Sequence, residues 1–334
     1  MKAFEWANAS DVDEAVKLLS DATDPKGDPD DAPRPMGGGQ DLLTTMKNYI
    51  SRPPRVVNLK TIAGMNGITV ADDGSATIGA LATLSEVEEH PAIKAKFPGL
   101  AEAAHSVATP QIRHRGTVGG NLCQRPRCWY YRLESVKCFK KGGDNCYASD
   151  GENKYHAIFG GGPSYIVHPS DLATILVALN ASVSIAGPKG SRDIALNRFF
   201  ALPRDIIRRE NVLRDDEIVT AVHIPASTIG ARSTYLKFKE RQSLDFAMAA
   251  VAAGVDLNAD KTVKSVRLVL GGVAPIPWHV PAAEKYLVGK TLDDKTVAQA
   301  AQIALDGAEP LEKNGYKIPL TQTLVRRALL KLNA

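Results

Sequence analysis

All four cysteines of the chain, Cys123, Cys128, Cys138 and Cys146, fall in one short segment with the pattern C-x4-C-x9-C-x7-C. The segment is entered through Ile112-Arg113-His114-Arg115-Gly116-Thr117-Val118-Gly119-Gly120-Asn121-Leu122. It is left through Gly160-Gly161-Gly162-Pro163 and then His168-Pro169-Ser170-Asp171. Thiols that serve packing alone scatter among strands and helices. Thiols gathered directly behind a glycine-rich backbone surface point instead to bound groups. Three readings compete for them. Zinc favours C-x2-C knuckles, which are absent. Two disulfides need an oxidising compartment. A four-iron cluster needs four thiolates and tolerates irregular loop spacing. Arg125, Arg127, Arg132, Lys137, Lys140 and Lys141 share the segment. Such cations offset the negative charge of a thiolate-bound cluster, or serve as a solvated basic loop. Spacing and charge favour iron–sulfur and leave the other two open.

The chain of 334 residues, 44% hydrophobic and 23% charged, is long enough for two cores. Its net charge of +4 is spread out, without the basic runs that bind nucleic acid. No apolar run approaches the roughly 18 residues of a membrane span. The start, Met1-Lys2-Ala3-Phe4-Glu5-Trp6, has no apolar signal core. The expectation is a chain that begins in the cytoplasm and reaches the periplasm only if a signal-bearing partner exports it folded.

Helices are expected over Asp11–Ser20 with Ser10 as cap, from Leu42 to about Tyr49, after Thr83 or Ser85, over Gly99–Ala108, over Thr174–Leu179, over Val297–Leu305, and from just after Pro319 to Leu332. Strands are expected at Arg55–Leu59, as a hairpin Ile68–Val70 with Ala76–Ala80, at Ser182–Ala186 with Gly190–Ile194, at Val219–Pro225, and at Met248–Leu257 with Val263–Leu270. Asp21–Pro33 reads as an exposed loop. Helices and short strands therefore mix in an α+β manner.

Two stretches suit a ligand with a pyrophosphate and two rings. The first is Met36-Gly37-Gly38-Gly39-Gln40-Asp41-Leu42, glycines at a helix start where backbone N–H groups can approach a phosphate. It is not G-x-G-x-x-G, and no strand–helix–strand unit is evident around it. The second is the Arg113–Asn121 glycine loop, with Thr117 and Asn121 as hydrogen-bonding side chains. Cys123 follows Asn121 by two residues, so the two lie within about 7 Å. A ring bound at Asn121 and a cluster at Cys123 would be electron-transfer neighbours. His90, His223 and His279 read as structural or surface residues.

With these motifs in view, the chain resembles the FAD-binding medium subunits of molybdenum hydroxylases, the xanthine dehydrogenase and carbon monoxide dehydrogenase family. The motifs are Gly37–Leu42, Ile112–Asn121, His168-Pro169-Ser170-Asp171-Leu172, Asp216-Glu217-Ile218-Val219 and Lys237–Ala247. The resemblance spans nearly the whole chain. It implies a two-subdomain FAD-binding domain of the PCMH type over 1–227, with an inserted iron–sulfur loop at 122–165. A smaller α+β domain, an antiparallel sheet with helices, follows over 228–334. It further implies that Met36, Gly37, Gly38, Gly39, Gln40, Asp41 and Leu42 wrap the FAD pyrophosphate, and that Thr117, Gly120 and Asn121 continue that contact. Ser170 and Asp171 would bind toward the ribityl or adenosine portion, Ile218 would border the flavin, and Lys237 would reach the isoalloxazine. Val107 stands where some members carry an aromatic, His114 where asparagine is common, and Gly39 where threonine is commoner.

The cysteine loop resembles the insertion of the periplasmic aldehyde oxidoreductase subgroup, which implies a [4Fe–4S] cluster on Cys123, Cys128, Cys138 and Cys146. The implied partners are a molybdopterin-binding large subunit and a [2Fe–2S] small subunit, with substrate chemistry in another chain and the terminal acceptor left open. A stand-alone FAD oxidase or reductase of the vanillyl-alcohol oxidase type is the alternative, and a zinc-stabilised binding module a third. No catalytic nucleophile or paired carboxylates are expected here.

Overall fold

The computed structural model describes residues 1–333, among which three sheets are formed. The first is parallel, with β1 (Glu5–Asn8), β2 (Arg34–Met36) and β3 (Arg55–Asn58) in the order β1-β3-β2. β2, the triple-glycine turn, helix Leu42–Lys47 and β3 form a strand–helix–strand unit around the first glycine stretch, where none is evident in the sequence. The reason is local. β2 has three residues and Pro35 at its centre, tolerable only because β2 lies at the sheet edge, so no strand pattern shows.

The second sheet is antiparallel: β4 (Ile68–Val70), β5 (Ala76–Gly79), β6 (Ser182–Gly187), β7 (Gly190–Ala195) and β8 (Ile218–Ile224), in the order β4-β5-β8-β6-β7. Pro225 ends β8, which is the central strand. The long excursion between β5 and β6 carries both the second glycine stretch and the cysteines. The third sheet is β9 (Ser233–Phe238), β10 (Ala249–Leu257), β11 (Val263–Gly271) and β12 (Trp278–His279), antiparallel in the order β12-β11-β10-β9. The architecture is α+β, with an antiparallel sheet and helices in the C-terminal part.

β10 is buried on both faces, which explains its unbroken Ala/Val sequence. Ala249, Val251, Ala253 and Val255 pack toward helices Pro281–Leu287, Asp294–Ala304 and Lys317–Leu332. Ala250 and Ala252 alternate to the other face and join the large N-terminal core with Leu100, Leu172 and Ile175. One strand thus welds the two parts together. The fully buried Lys317 adds a polar tie, donating to the Tyr155 carbonyl at 3.0 Å and the Gly272 carbonyl at 2.6 Å.

Several local expectations shift. The first helix runs Val12–Ala22, capped by Asp11, whose carboxylate accepts from the Glu14 N–H at 2.8 Å. Ser10 instead donates its N–H and hydroxyl to the Glu14 carboxylate. Within the supposedly exposed Asp21–Pro33, Asp30 is buried, because Arg125 and Arg208 reach its carboxylate. The stretch Arg113–Asn121 is largely helical: Pro110–Arg113 and Val118–Leu122 are short helices, the second capped by Thr117. Gly119 and Gly120 are therefore helical, and Gly119 is needed for closeness, since a Cβ there would lie 3.0 Å from the Ala80 Cβ. The last helix starts at Lys317, with Pro319 inside its first turn, where no N–H is required.

Candidate functional site

The two glycine stretches meet. Gly38 packs so tightly on the chain at Arg115 and Gly116 that a Cβ would stand 2.0 Å from the Arg115 carbonyl oxygen. Gly37 is equally committed, its would-be Cβ falling 2.8 Å from the Thr117 hydroxyl. Gly39 has φ +73°, the left-handed region glycine occupies without penalty, and turns the chain into helix Leu42–Lys47. The backbone N–H groups of Gly37 to Leu42 donate to nothing among the described residues. They border a cleft of about 410 Å³, which Thr117, Gly120, Asn121, Val107, Asp171 and Lys237 also line. Half-buried amide donors left over in a concave wall call for an anionic partner, as a pyrophosphate would be.

Charge in the cleft is balanced within the protein. Arg34 and Arg209 share Asp215, Arg208 reaches Asp28 and Asp30, and Arg127 lies 2.8 Å from Asp41. Burial pushes the Arg127 guanidinium down to about 10 in spite of Asp41. Arg125 stands 2.6 Å from the buried Glu210, which also holds Lys140 at 2.6 Å. Burial would raise Glu210, but Arg125 and Lys140 outweigh it and hold the acid below its ordinary value. With the arginines engaged, the unpaired amides become the main free donors for a phosphate. Asp41 makes no cap bond to its own helix. Its carboxylate accepts instead from the Arg125 N–H at 2.7 Å and from Arg132 at 2.8 Å, tying the glycine turn to the cysteine loop.

At the other end of the cleft, Asp171 opens helix Asp171–Ala178, whose residues are all buried. It accepts from the Tyr235 hydroxyl at 2.6 Å and from the Lys237 ammonium at 2.7 Å. Burial, reinforced by Asp171, pushes the Tyr235 phenol well above its usual range. Lys237 also donates to the Ser106 carbonyl at 3.1 Å, so this cation is part of a fixed triad in the cleft wall. Ser170 stands behind the wall: it caps that helix and donates to Asn121 Oδ1 at 2.5 Å, orienting the asparagine. Ile218 is core and does not line the cleft.

The cysteines divide. Cys128, Cys138 and Cys146 line a second, small cavity together with His156, whereas Cys123 lines the large cleft. Tyr131, buried under the guanidinium groups of Arg125 and Arg132, lines both. All four thiols are free. Burial pushes Cys123 and Cys128 up to about 12. His156 has Nε2 at 3.2 Å from the Cys128 sulfur, and its Nδ1 is buried beside the Asn153 carbonyl without a well-formed hydrogen bond. Burial pushes this imidazole down to about 4, so it is neutral near pH 7. Among the described residues, no group of three or more His, Cys, Asp or Glu is set to hold a single metal ion. Three sulfurs and an imidazole around a shared cavity nevertheless form a donor set of the soft, mixed kind that iron accepts.

The chain matches two family models end to end: the FAD binding domain in molybdopterin dehydrogenase over residues 2–227, and the carbon monoxide dehydrogenase flavoprotein C-terminal domain over residues 233–332. This chain belongs to that flavoprotein family. It is 31% identical over 306 residues to the aldehyde oxidoreductase FAD-binding subunit PaoB of Escherichia coli (strain K12), covering 90% of this flavoprotein and 91% of the relative. It is 27% identical to the carbon monoxide dehydrogenase medium chain of Hydrogenophaga pseudoflava, covering 98% and 96%. The solved carbon monoxide dehydrogenase of that organism superposes with a TM-score of 0.75 at 26% identity, over 99% of this chain and 97% of the other. Quinoline 2-oxidoreductase from Pseudomonas putida 86 shares the fold with a TM-score of 0.76. Like its relatives, this flavoprotein is an oxidoreductase subunit and an FAD binder. Among the described residues no helix is long and apolar enough to cross a membrane.

Sequence reasoning missed Arg34, Arg208, Arg209, Glu210, Tyr131 and His156. For Arg208, Arg209 and Glu210 the only advance signal is the density of paired charges in Arg204–Glu217, which reads equally well as a solvated loop.

Proposed function

We propose that this flavoprotein is the FAD- and [4Fe–4S]-binding electron-transfer subunit of a heteromeric molybdenum hydroxylase of the aldehyde or xanthine type. Its partners are a molybdopterin-binding large subunit and a [2Fe–2S] small subunit, and its domains are 1–227, with the iron–sulfur insertion 122–165, and 228–334. One observation carries the reading: a cleft edged by unpaired backbone amides shares a lining residue, Tyr131, with a cavity lined by three thiols.

The residues divide the work. Met36 to Leu42 present amides to the pyrophosphate, and Thr117, Gly120 and Asn121 extend that surface, with Ser170 fixing Asn121. Val107 supplies apolar wall. The Asp171–Lys237 pair presents a hydrogen-bonded cation whose charge is largely matched, so it orients more than it attracts. The Arg127 guanidinium lies over the Phe246 ring at 4.7 Å, and both line the cleft. Cys128, Cys138 and Cys146 offer thiolates to the cluster, while Cys123 stands on the flavin side. When bound, the two groups supply the change between one-electron and two-electron traffic that links partner iron–sulfur centres to a terminal acceptor. The relative described as an aldehyde oxidoreductase subunit supports an aldehyde as substrate of the whole complex.

Purification from its native host without denaturing steps tests this. The expected result is a complex in which molybdenum, iron and FAD comigrate with this chain. A chain that isolates alone and oxidises a small substrate by itself would favour the vanillyl-alcohol oxidase type.

A further inference from the structure

Of the four cysteines, one is misplaced for a shared cluster. Cys123 ends helix Val118–Leu122, hydrogen-bonded by its N–H to the Gly119 carbonyl at 3.0 Å, and lines the flavin cleft. The three others line the small cavity beyond Tyr131, and the fourth metal-ligating side chain of that cavity is His156. We propose that His156, and not Cys123, is the fourth ligand of the iron–sulfur cluster. The inference rests on the cluster assigned above and changes its ligand set to three thiolates and one imidazole.

The ring is built to stay where it is. His156 is 3% exposed and is flanked edge-on by Trp129 at 5.8 Å and at a tilt by Tyr130 at 6.3 Å. Its backbone is anchored at both ends: the N–H donates to the Asn153 carbonyl at 2.9 Å, and the carbonyl accepts from Asn314 Nδ2 at 3.1 Å. One ring nitrogen stands 3.2 Å from the Cys128 sulfur, and the other lies buried beside the Asn153 carbonyl without a well-formed hydrogen bond. A buried ring nitrogen without a well-formed hydrogen bond is unfavourable, and a ligand bond removes that deficit. A histidine kept only for packing would be served as well by a phenylalanine among these aromatics. A histidine kept only to donate to Cys128 would leave the second nitrogen without a well-formed hydrogen bond.

The ligand set has an electrostatic consequence. Replacing a thiolate by an imidazole makes the cluster site one charge less negative, which favours the reduced form and raises the potential.

The test uses the full-length protein, prepared anaerobically with its cluster, in wild-type, C123S, C138S and H156C forms. Iron and sulfide content, the midpoint potential, and pulsed electron paramagnetic resonance of the reduced cluster with 14N- and 15N-histidine labelling are read. Expected are a histidine-nitrogen coupling in wild type that changes with the isotope, full iron content in C123S, and loss of iron in C138S. H156C should keep the cluster, lose the coupling and shift to a lower potential. A cluster that shows no histidine coupling and disappears in C123S overturns the ligand assignment while leaving the cluster itself intact. Wild-type protein that takes up no iron–sulfur cluster overturns both.

Discussion

The sharpest structural constraint on the flavin site is the contact between its two glycine stretches, and Gly38→Ala breaks it. The added methyl would stand 2.0 Å from the Arg115 carbonyl oxygen, 2.8 Å from its carbon and 3.0 Å from the Gly116 Cα. Unstrained carbon contacts lie at about 3.5–4.0 Å, so the two chains must part by more than an ångström. Nothing flexible is available to yield, because every atom met is backbone. Overpacking of this kind costs roughly 1–3 kcal/mol. If that strain falls on the arrangement that grips the pyrophosphate, FAD binds roughly 5- to 150-fold more weakly, at 1.4 kcal/mol per tenfold. Titrating flavin-stripped protein with FAD and following flavin fluorescence measures it, beside urea unfolding of the same samples. Gly315→Ala is the control, since a methyl there meets nothing within 4 Å. A Gly38→Ala protein that binds FAD within about twofold of wild type and unfolds at the same urea concentration would refute the reasoning.

Three other outcomes follow from buried charge. Lys237→Met leaves the Asp171 carboxylate, in a pair whose side chains are 4% and 5% exposed, with only the Tyr235 hydroxyl. It should cost roughly 3–5 kcal/mol in urea unfolding, and Asp171→Asn added to it should recover most of that. Equal losses in the single and double variants would contradict the pairing. Glu210 is held below its ordinary 4.5 by Arg125 and Lys140, so its stabilisation is complete above that pH and is lost as pH falls through the folded value. Glu210→Gln should therefore flatten the acid limb of the stability–pH curve; an unchanged limb would remove Glu210 from the account. Burial lowers Lys317 to about 7 from 10.5, so the unfolded chain holds more protons between those values and stability rises with pH across them. The rise is at most about 1.4 kcal/mol per pH unit, and Lys317→Met should abolish it. Identical slopes in the variant would count against a buried lysine.

How far this was readable in the chain depends on how local each signal is. The hairpin Ile68–Gly79, the paired strands β10 and β11, and the helix opened after Thr83 follow from neighbours in sequence, and they form as expected, Thr83 rather than Ser85 being the cap. The short parallel unit around Gly37–Gly39 does not, since β2 is too brief to show a period and its partner β3 lies some twenty residues on. The glycine stretches announced a ligand surface, yet their mutual contact at Gly38 and Arg115 is a tertiary fact. Asp41 belongs by position to a helix start, but it serves as the anchor for Arg125, Arg127 and Arg132. The cysteine spacing signalled a bound group, whereas the placing of Cys123 in the large cleft and of the other three in the small cavity is a tertiary fact. Adjacency in sequence between Asn121 and Cys123 survives as adjacency to the cleft.

The account stands most directly on what the intact protein carries. Full-length material prepared without oxygen should show flavin absorption superimposed on a broad brown band, with about one FAD and about four iron and four sulfide per chain. Stoichiometric zinc at the thiols in place of iron, or a preparation that retains no flavin, would contradict it.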